Sequence, residues 1–249
     1  MATLVVTGAQ WGDEAKGKLV DVLAEWANVV VRYNGGANAG HTVQVGENVY
    51  KFHLIPTGVL RPNLLSIVSS GVVIEPKALI LEMAKFGQGQ VTPNNFKISS
   101  NAHVVLPYHQ LTEQIDEKSR GDEKIGTTNR GIGPTYVDKT ARSGIRMIDF
   151  IDPARFKNKL TLNLEIKNRL FEAYGEKPFS VDELLAEYLP LADQLRPYVA
   201  DIEMLIHDKV AKGDNVLFEG AQGTLLDLDY GTYPFVTSSH PVAAGACLG

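Results

Sequence analysis

The 249-residue chain has a single cysteine, Cys247, so it cannot form an internal disulfide framework or a thiolate metal centre. That fits a reducing compartment. Basic charge is also scarce: 24 Lys+Arg against 29 Asp+Glu give a formal net charge of −5. No cluster of lysines and arginines offsets that balance, which argues against nucleic-acid or membrane-surface binding. No apolar run approaches the ~20 residues of a membrane span. The opening MATLVVTG has neither a charged leader nor a long apolar stretch, so it does not read as a secretory signal. The expectation is a soluble, cytoplasmic protein with no nucleic-acid or membrane partner. Internal repeats, low-complexity tracts and a clear linker are lacking too, so one domain over 1–249 is expected. The ending PVAAGACLG has no closing helix or strand and reads as a cut, with a C-terminal part absent.

What is present is an alternation of apolar runs and glycine-bearing loops. LVVTG (4–8) reads as a buried strand entering a loop. Over 16–27, Leu19, Val20, Leu23 and Trp26 recur at helical spacing. VVVRY (29–33), HLIPTGVL (53–60), SIVSSGVVIEP (66–76) and NVLFEG (215–220) read as further strand segments, ended by Gly or Pro. PYHQLTEQIDEKSRG (107–121) is a polar helix, and IGTTNRGIGPTYVDKTARSG (125–144) reads as a glycine- and threonine-rich loop. Residues 152–212 are helical in periodicity, with breaks expected near Gly175–Pro178, Pro190 and Pro197. The fold class expected is α/β, with a central mostly parallel sheet and a helical insertion at about 152–212.

The segment GDEAKGKL (12–19) has the spacing of a phosphate-binding P-loop, placed between a strand and a helix. Glycines let the backbone approach an anion, lysines neutralise it, and the helix N-terminus offers free N–H groups. A P-loop then needs Ser or Thr for the metal, and here that position is Leu19. Asp13 would repel a phosphate unless it binds Mg²⁺ or acts as a base on a neighbouring substrate. It could also simply cap the helix. NGGANAGHT (34–42) leaves backbone groups open and ends on His41, which titrates near neutrality. TTNRGIGP (127–134) with Lys139, Arg142 and Arg146 suits a second anionic group such as a nucleoside monophosphate, although an exposed basic loop has the same composition. EGAQGT (219–224) and Thr237-Ser238-Ser239 form a fourth cluster.

GAQWGDEAKGK, NGGANAGHT, HLIPTGVL, GTTNRGIGPTY and FEGAQGTLLDLDYGTYPFVTSS resemble, in order and across the whole chain, the adenylosuccinate synthetase family. The resemblance implies a P-loop-like GTP-binding fold. It also implies ligation of IMP and L-aspartate to adenylosuccinate, driven by GTP with Mg²⁺ as cofactor, through 6-phosphoryl-IMP. By the same resemblance Asp13 removes the N1 proton of IMP and His41 is the general acid. Gly12, Asp13, Glu14, Ala15, Lys16, Gly17 and Lys18 hold GTP. Asp13, Lys16, Asn38, Ala39, Gly40, His41, Thr128, Arg142, Gln222 and Thr237 surround IMP. Asp13 and the Gly40 carbonyl hold the metal, so Leu19 is left free to be a core residue. Arg142 reaches the IMP site of the other subunit of a homodimer.

Two departures stand out. Ala15 occupies a position where the family has glycine, costing ~1 kcal/mol if φ there is positive. Ser69-Ser70-Gly71 stands where an asparagine near the IMP base is expected. Family chains run on beyond this length and carry aspartate and guanine recognition there, so this chain alone is expected to be inactive. Two other readings compete: a non-catalytic nucleotide-binding paralogue, and a phage-type synthetase acting on dGMP. Retention of Asp13 counts against the phage-type reading.

Overall fold

The computed structural model describes residues 2–45, 47–87 and 89–249, and leaves the side chains of His41, Val45 and Asn48 outside the description. The chain begins with β1 (Thr3–Val6), α1 (Lys16–Leu23), β2 (Val29–Arg32), β3 (His41–Val45), β4 (Asn48–Phe52), β5 (Leu65–Val68) and β6 (Val73–Ile74). Next come α2 (Pro76–Met83), β7 (Phe96–Ser99), β8 (His103–Val104), α3 (Pro107–Ser119), α4 (Ile132–Ala141) and α5 (Met147–Phe150). The rest is α6 (Pro153–Ala173), α7 (Val181–Leu195), β9 (Val199–Ala200), α8 (Ile202–Ala211), β10 (Val216–Glu219) and α9 (Gly245–Leu248).

Six strands form one sheet in the order β1-β10-β2-β5-β7-β9, and every pairing in it is parallel. Parallel neighbours need crossover connections, and the helices supply them. The apolar alternation of the strands decides which helix covers which face. On β2, Val30 packs with Val20 of α1, with Ala24 just beyond it, and with Val6 and Leu217. Val29 and Val31 point the other way, onto Ile202 of α8, with Ile67 and Val216. A sheet buried on both faces reads as a continuous apolar run, which is why VVVR carries so little polar character. A larger cluster, with Phe96, Ile98, Val104, Phe150, Phe156 and Leu195 at its centre, joins the far half of the sheet to α2, α3, α5, α6 and α7.

This topology sets the functional end of the molecule. β10 sits between β1 and β2, so the loops leaving all three carboxyl ends (7–15, 33–40 and 220–223) emerge side by side. A crevice at such a point, where neighbouring strands come from distant parts of the chain, is where open α/β sheets take ligands.

Several expectations are corrected. HLIPTGVL is not a strand: β4 ends at Phe52, and Thr57–Leu60 is a single 3₁₀ turn. Its N–H groups go elsewhere, since the Glu82 carboxylate accepts from His53, Leu54 and Ile55. The loop expected over 125–144 contains the ten-residue α4. Pro190 does not break α7, which runs through it. The 152–212 region is helical as expected, except that β9 within it extends the central sheet beside β7. The chain end contains one helical turn, α9, where none was expected. Leu19 is not a core residue: it is 51% exposed, because α1 turns Gly17 and Val20 inward. Among the described residues no helix is long and apolar enough to cross a membrane.

Candidate functional site

The site grows from the loop between β1 and α1. Gly12 adopts φ +102°, open to glycine without strain. The Glu14 carboxylate turns back and accepts the N–H groups of Gln10 (2.9 Å) and Gly12 (3.1 Å), so it ties the loop from within. Burial pushes its carboxyl up, but those N–H donors and Lys16 outweigh that and hold it below the usual carboxylate range. Lys16 Nζ donates to Gly12 O at 2.9 Å and lies 3.9 Å from Glu14. Burial pulls the Lys16 ammonium below the ordinary lysine range; Glu14, Asp13 and Glu219 oppose that, and Arg32 adds to it. Ala15, the residue before α1, sits at φ 62°, ψ 34°, in the left-handed region.

The loop after β10 packs against this one. A side chain on Gly12 would strike the backbone of Gln222, and one on Gly223 would strike Gln10 and Gly12. Thr224 N–H and Oγ1 both donate to Gly8 O, each at 2.9 Å. Asn34, buried after β2, fastens the third loop: its Oδ1 accepts from Ala221 N at 2.9 Å and its Nδ2 donates to Ser239 Oγ at 3.2 Å.

Between these loops lies a cavity of about 240 Å³, lined by Gly12, Asp13, Ala15, Lys16, Gly17, Lys18, Arg32, Ala39, Gly40 and Gln222 among others. Of the residues expected around GTP, only Glu14 does not line it. Asp13 and Gly40 share this cavity, so a carboxylate and a peptide group, the hard oxygen donors that Mg²⁺ takes, lie on one site. Gly40 is hemmed in: a side chain there would meet the His53 ring at 3.0 Å, and His53 Nδ1 lies 3.1 Å from Ala39 O.

A second cavity of about 820 Å³ adjoins the first, with Asn38, Thr128, Gln222 and Thr237 on its walls beside Trp11 and Phe235. Two carboxylates one turn apart on α3 build its rim. Glu117 accepts from Ile125 (3.2 Å), Gly126 (2.9 Å) and Thr127 (3.4 Å), and Glu113 accepts from Gly131 at 2.7 Å. The opposite wall is pinned by buried Asp227, whose Oδ1 accepts from the N–H groups of Asp229 and Tyr230 and lies 3.5 Å from His240 Nδ1. Asn38 Oδ1 and Thr127 Oγ1 are buried with no hydrogen-bond partner. Gln222 lines both cavities and joins them, held at φ 60°.

The sequence candidates therefore divide. Asp13, Lys16, Ala39 and Gly40 fall in the smaller cavity; Asn38, Thr128 and Thr237 fall in the larger; Gln222 falls in both. Arg142 lines neither; it ends α4 at φ 65° with its side chain exposed. Lys139 turns away and donates to Ser70 O at 2.9 Å, and Arg146 donates to Asn101 Oδ1 at 3.1 Å, so the basic cluster is not one site. The His41 side chain lies outside the described residues, although its backbone opens β3. Ser69, at the second departure, is buried and donates from Oγ to Arg32 O at 2.9 Å.

Two groups were not singled out from sequence. Arg32, which follows the three valines of the VVVRY run, is 1% exposed and lines the smaller cavity. A charged residue at the end of an otherwise apolar buried run is the signal that could have found it. Under the larger cavity, buried His109 meets Asp138 (3.1 Å), and Asp138 takes Lys167 Nζ at 2.9 Å. Burial pushes the His109 ring below the usual histidine range. Burial would raise Asp138, but His109 and Lys167 hold it below the usual carboxylate range.

Known proteins resemble this chain in sequence and in fold. The family profile described as adenylosuccinate synthetase matches residues 5–249. A curated adenylosuccinate synthetase of Carboxydothermus hydrogenoformans is 56% identical over all of this chain and 58% of its own length. The solved, fully ligated adenylosuccinate synthetase of Plasmodium falciparum superposes with a TM-score of 0.90 at 36% identity, over 99% of this chain and 57% of its own. A cyanophage S-2L succinoaminodeoxyadenylate synthetase bound to dGMP and dATP superposes with a TM-score of 0.65 at 23% identity, over 99% of this chain and 58% of its own, a likeness of fold alone. The chain thus spans 58% of the length of that Carboxydothermus relative.

Proposed function

The chain belongs to the adenylosuccinate synthetase family, and on that premise we propose that it carries the phosphoryl-transfer centre for ligating IMP and L-aspartate at the expense of GTP. The observation that carries this reading is the pair of adjoining cavities joined at Gln222. The smaller has the glycines and lysines of a polyphosphate site; the larger has the amide and hydroxyl groups of a nucleotide site. Phosphoryl transfer is mostly a matter of aligning two partners and neutralising developing charge, which two cavities meeting at one residue would do.

In this reading the GTP phosphates lie along Gly12–Lys18, with Lys16 and Lys18 as counter-charges. IMP lies in the larger cavity against Asn38, Thr128, Gln222 and Thr237. Asp13 takes the N1 proton of IMP, O6 attacks the γ-phosphorus, and GDP leaves. The amino group of L-aspartate then displaces phosphate at C6. His41 donates to the transferring phosphoryl group. Mg²⁺ would be held by Asp13 and the Gly40 carbonyl and would supply charge neutralisation at the phosphates. Glu14 has a loop-holding task rather than a ligand contact. Arg142, exposed and outside both cavities of its own chain, reaches the IMP phosphate of a second subunit in a homodimer.

Calorimetric titration of IMP and of GTP, each with and without Mg²⁺, tests the reading. It requires saturable binding of both, with GTP binding strengthened by Mg²⁺. Failure of IMP to bind, or GTP binding indifferent to Gly12, Lys16 and Lys18 substitutions, would overturn it.

A further inference from the structure

Arg32 ends β2, whose four residues are all buried, and it is itself 1% exposed. Its Nε donates to Asn34 O at 3.3 Å. Its Nη2 is buried and has no hydrogen-bond partner. The residue stands in register with Glu219 of β10, and both line the cavity formed by Gly12–Gly17 and Gly40. Glu219 Oε2 accepts from Thr57 N–H and Oγ1, both at 3.0 Å, so the Thr57 turn orients that carboxylate.

A guanidinium cannot discharge itself by losing a proton, so its burial with an unused N–H needs an acceptor from outside the chain. The cavity it lines, between the Gly12–Lys18 loop and Gly40, is a space that could bring one. Lys16 Nζ gives one of its three donors to Gly12 O, so Arg32 would act as a second cation beside it rather than in its place. A planar fork with donors fixed by the strand below it matches the tetrahedral oxygens of a phosphate, and it needs no reorganisation when charge develops there.

We propose that Arg32 is a polyphosphate-binding residue of the Gly12–Lys18 cavity, its free Nη2 donating to a β- or γ-phosphate oxygen of the nucleoside triphosphate. The proposal rests on the functional reading above for the identity of the nucleotide. It does not rest on it for the chemistry of the site, which asks only for linked phosphates.

The test uses inorganic tripolyphosphate, which needs no base recognition, beside GTP, GMP and IMP, each titrated with Mg²⁺ into the native chain and into Arg32→Lys and Arg32→Gln. Tripolyphosphate and GTP affinity are expected to fall on the order of 10–100-fold in both variants, the loss of one charged hydrogen bond. IMP affinity should stay within about twofold, since Arg32 does not line the larger cavity. A structural role alone would weaken all four ligands together or none, and either result would overturn the proposal. If the native chain binds tripolyphosphate but not GTP, the functional reading fails while the Arg32 variants still decide this one. If the native chain binds no tripolyphosphate, the proposal fails. Should neither variant fold by circular dichroism, the Arg32 Nε–H resonance of the native chain, followed during tripolyphosphate addition, decides it: a shift is required, and a static resonance overturns the proposal.

Discussion

Gly12 and Gln222 meet backbone to backbone: a Cβ built on Gly12 would lie 2.7 Å from both the Cα and the carbonyl carbon of Gln222. Two loops separated by some two hundred residues of chain thus form one wall, with the phosphate-type cavity on one side and the nucleotide-type cavity on the other. Gln222 faces both because Gly12 lets it come that close.

Gly12→Ala should therefore fail twice. Alanine at φ +102° is strained, and its methyl would force the 220–223 loop outward. The left-handed penalty of ~1–2 kcal/mol and an overpacking cost of ~1–3 kcal/mol predict a loss of about 2–5 kcal/mol. Urea unfolding measures it. Because both cavities share the wall, GTP and IMP affinity should fall together; a variant with native stability and native affinity for both would contradict the arrangement.

Ala15 makes the opposite prediction. Its φ of 62° lies in the left-handed region, where a side-chain methyl is strained and glycine is not. Ala15→Gly relieves ~1–2 kcal/mol of strain and returns ~0.5–1 kcal/mol through the greater freedom of the unfolded chain. The net expectation is a gain of roughly 0.5–1 kcal/mol, or a melting point higher by about 1–4 °C. Calorimetry reads it directly, and a lower melting point would mean that the strain is relieved elsewhere in the loop.

The strand–loop–helix opening was legible because three independent signals coincide there: an apolar run, a glycine spacing and a 3.6-residue period. β2 and β10 were legible as short apolar runs, each leading into a glycine-bearing loop. What the sequence concealed has physical causes. The hairpin β3–β4 was hidden because its first residue closes a glycine-rich loop, which drew the reading toward ligand chemistry and away from the alternation in TVQV. α4 was hidden because its Gly133 and Pro134 read as turn residues, whereas Pro sits in the first turn of a helix without cost. Leu19 looked like core from its period, but α1 is short and buries the neighbouring stripe. Arg32 was hidden because its run was read for hydrophobicity and its one charge went unremarked.

Asp13 and Gly40 predict a metal dependence. If Asp13 supplies a metal oxygen, GTP should bind more tightly with Mg²⁺ than with EDTA in the native chain. In Asp13→Asn that Mg²⁺ benefit should shrink at least ~10-fold. An undiminished Mg²⁺ benefit in the variant would remove Asp13 from the metal set.

The Glu113–Gly131 bond predicts a selective effect on the larger cavity. Glu113 is buried and accepts the Gly131 N–H at 2.7 Å, holding the turn that precedes α4. Glu113→Ala leaves that N–H without its acceptor, at a cost of about 1–3 kcal/mol. The turn carries Thr127 and Thr128 on the cavity wall, so IMP affinity should drop more than GTP affinity. Equal losses for both would show that the damage is global.

His103 predicts how stability depends on pH. The ring is 9% exposed, its Nδ1 has no partner, and Gly144 lies close against it. Burial, with Lys139, Arg146 and Lys159 against only Asp149, pulls its pKa from 6.5 down to about 4. Unfolding frees the ring to take a proton at pH values where the folded chain refuses it. Between pH 6.5 and about 4 the unfolded state therefore binds about one more proton, and stability falls as pH falls through that window, by at most ~3 kcal/mol. His109, also depressed by burial, adds a loss of the same sign. Replacing His103 with Gln removes its share alone. Plotted from pH 7 to pH 4.5, the unfolding free energy of His103→Gln should decline less steeply than that of the native chain, by about one proton in slope. Parallel curves would mean that the folded protein accepts a proton on His103 as readily as the unfolded chain does.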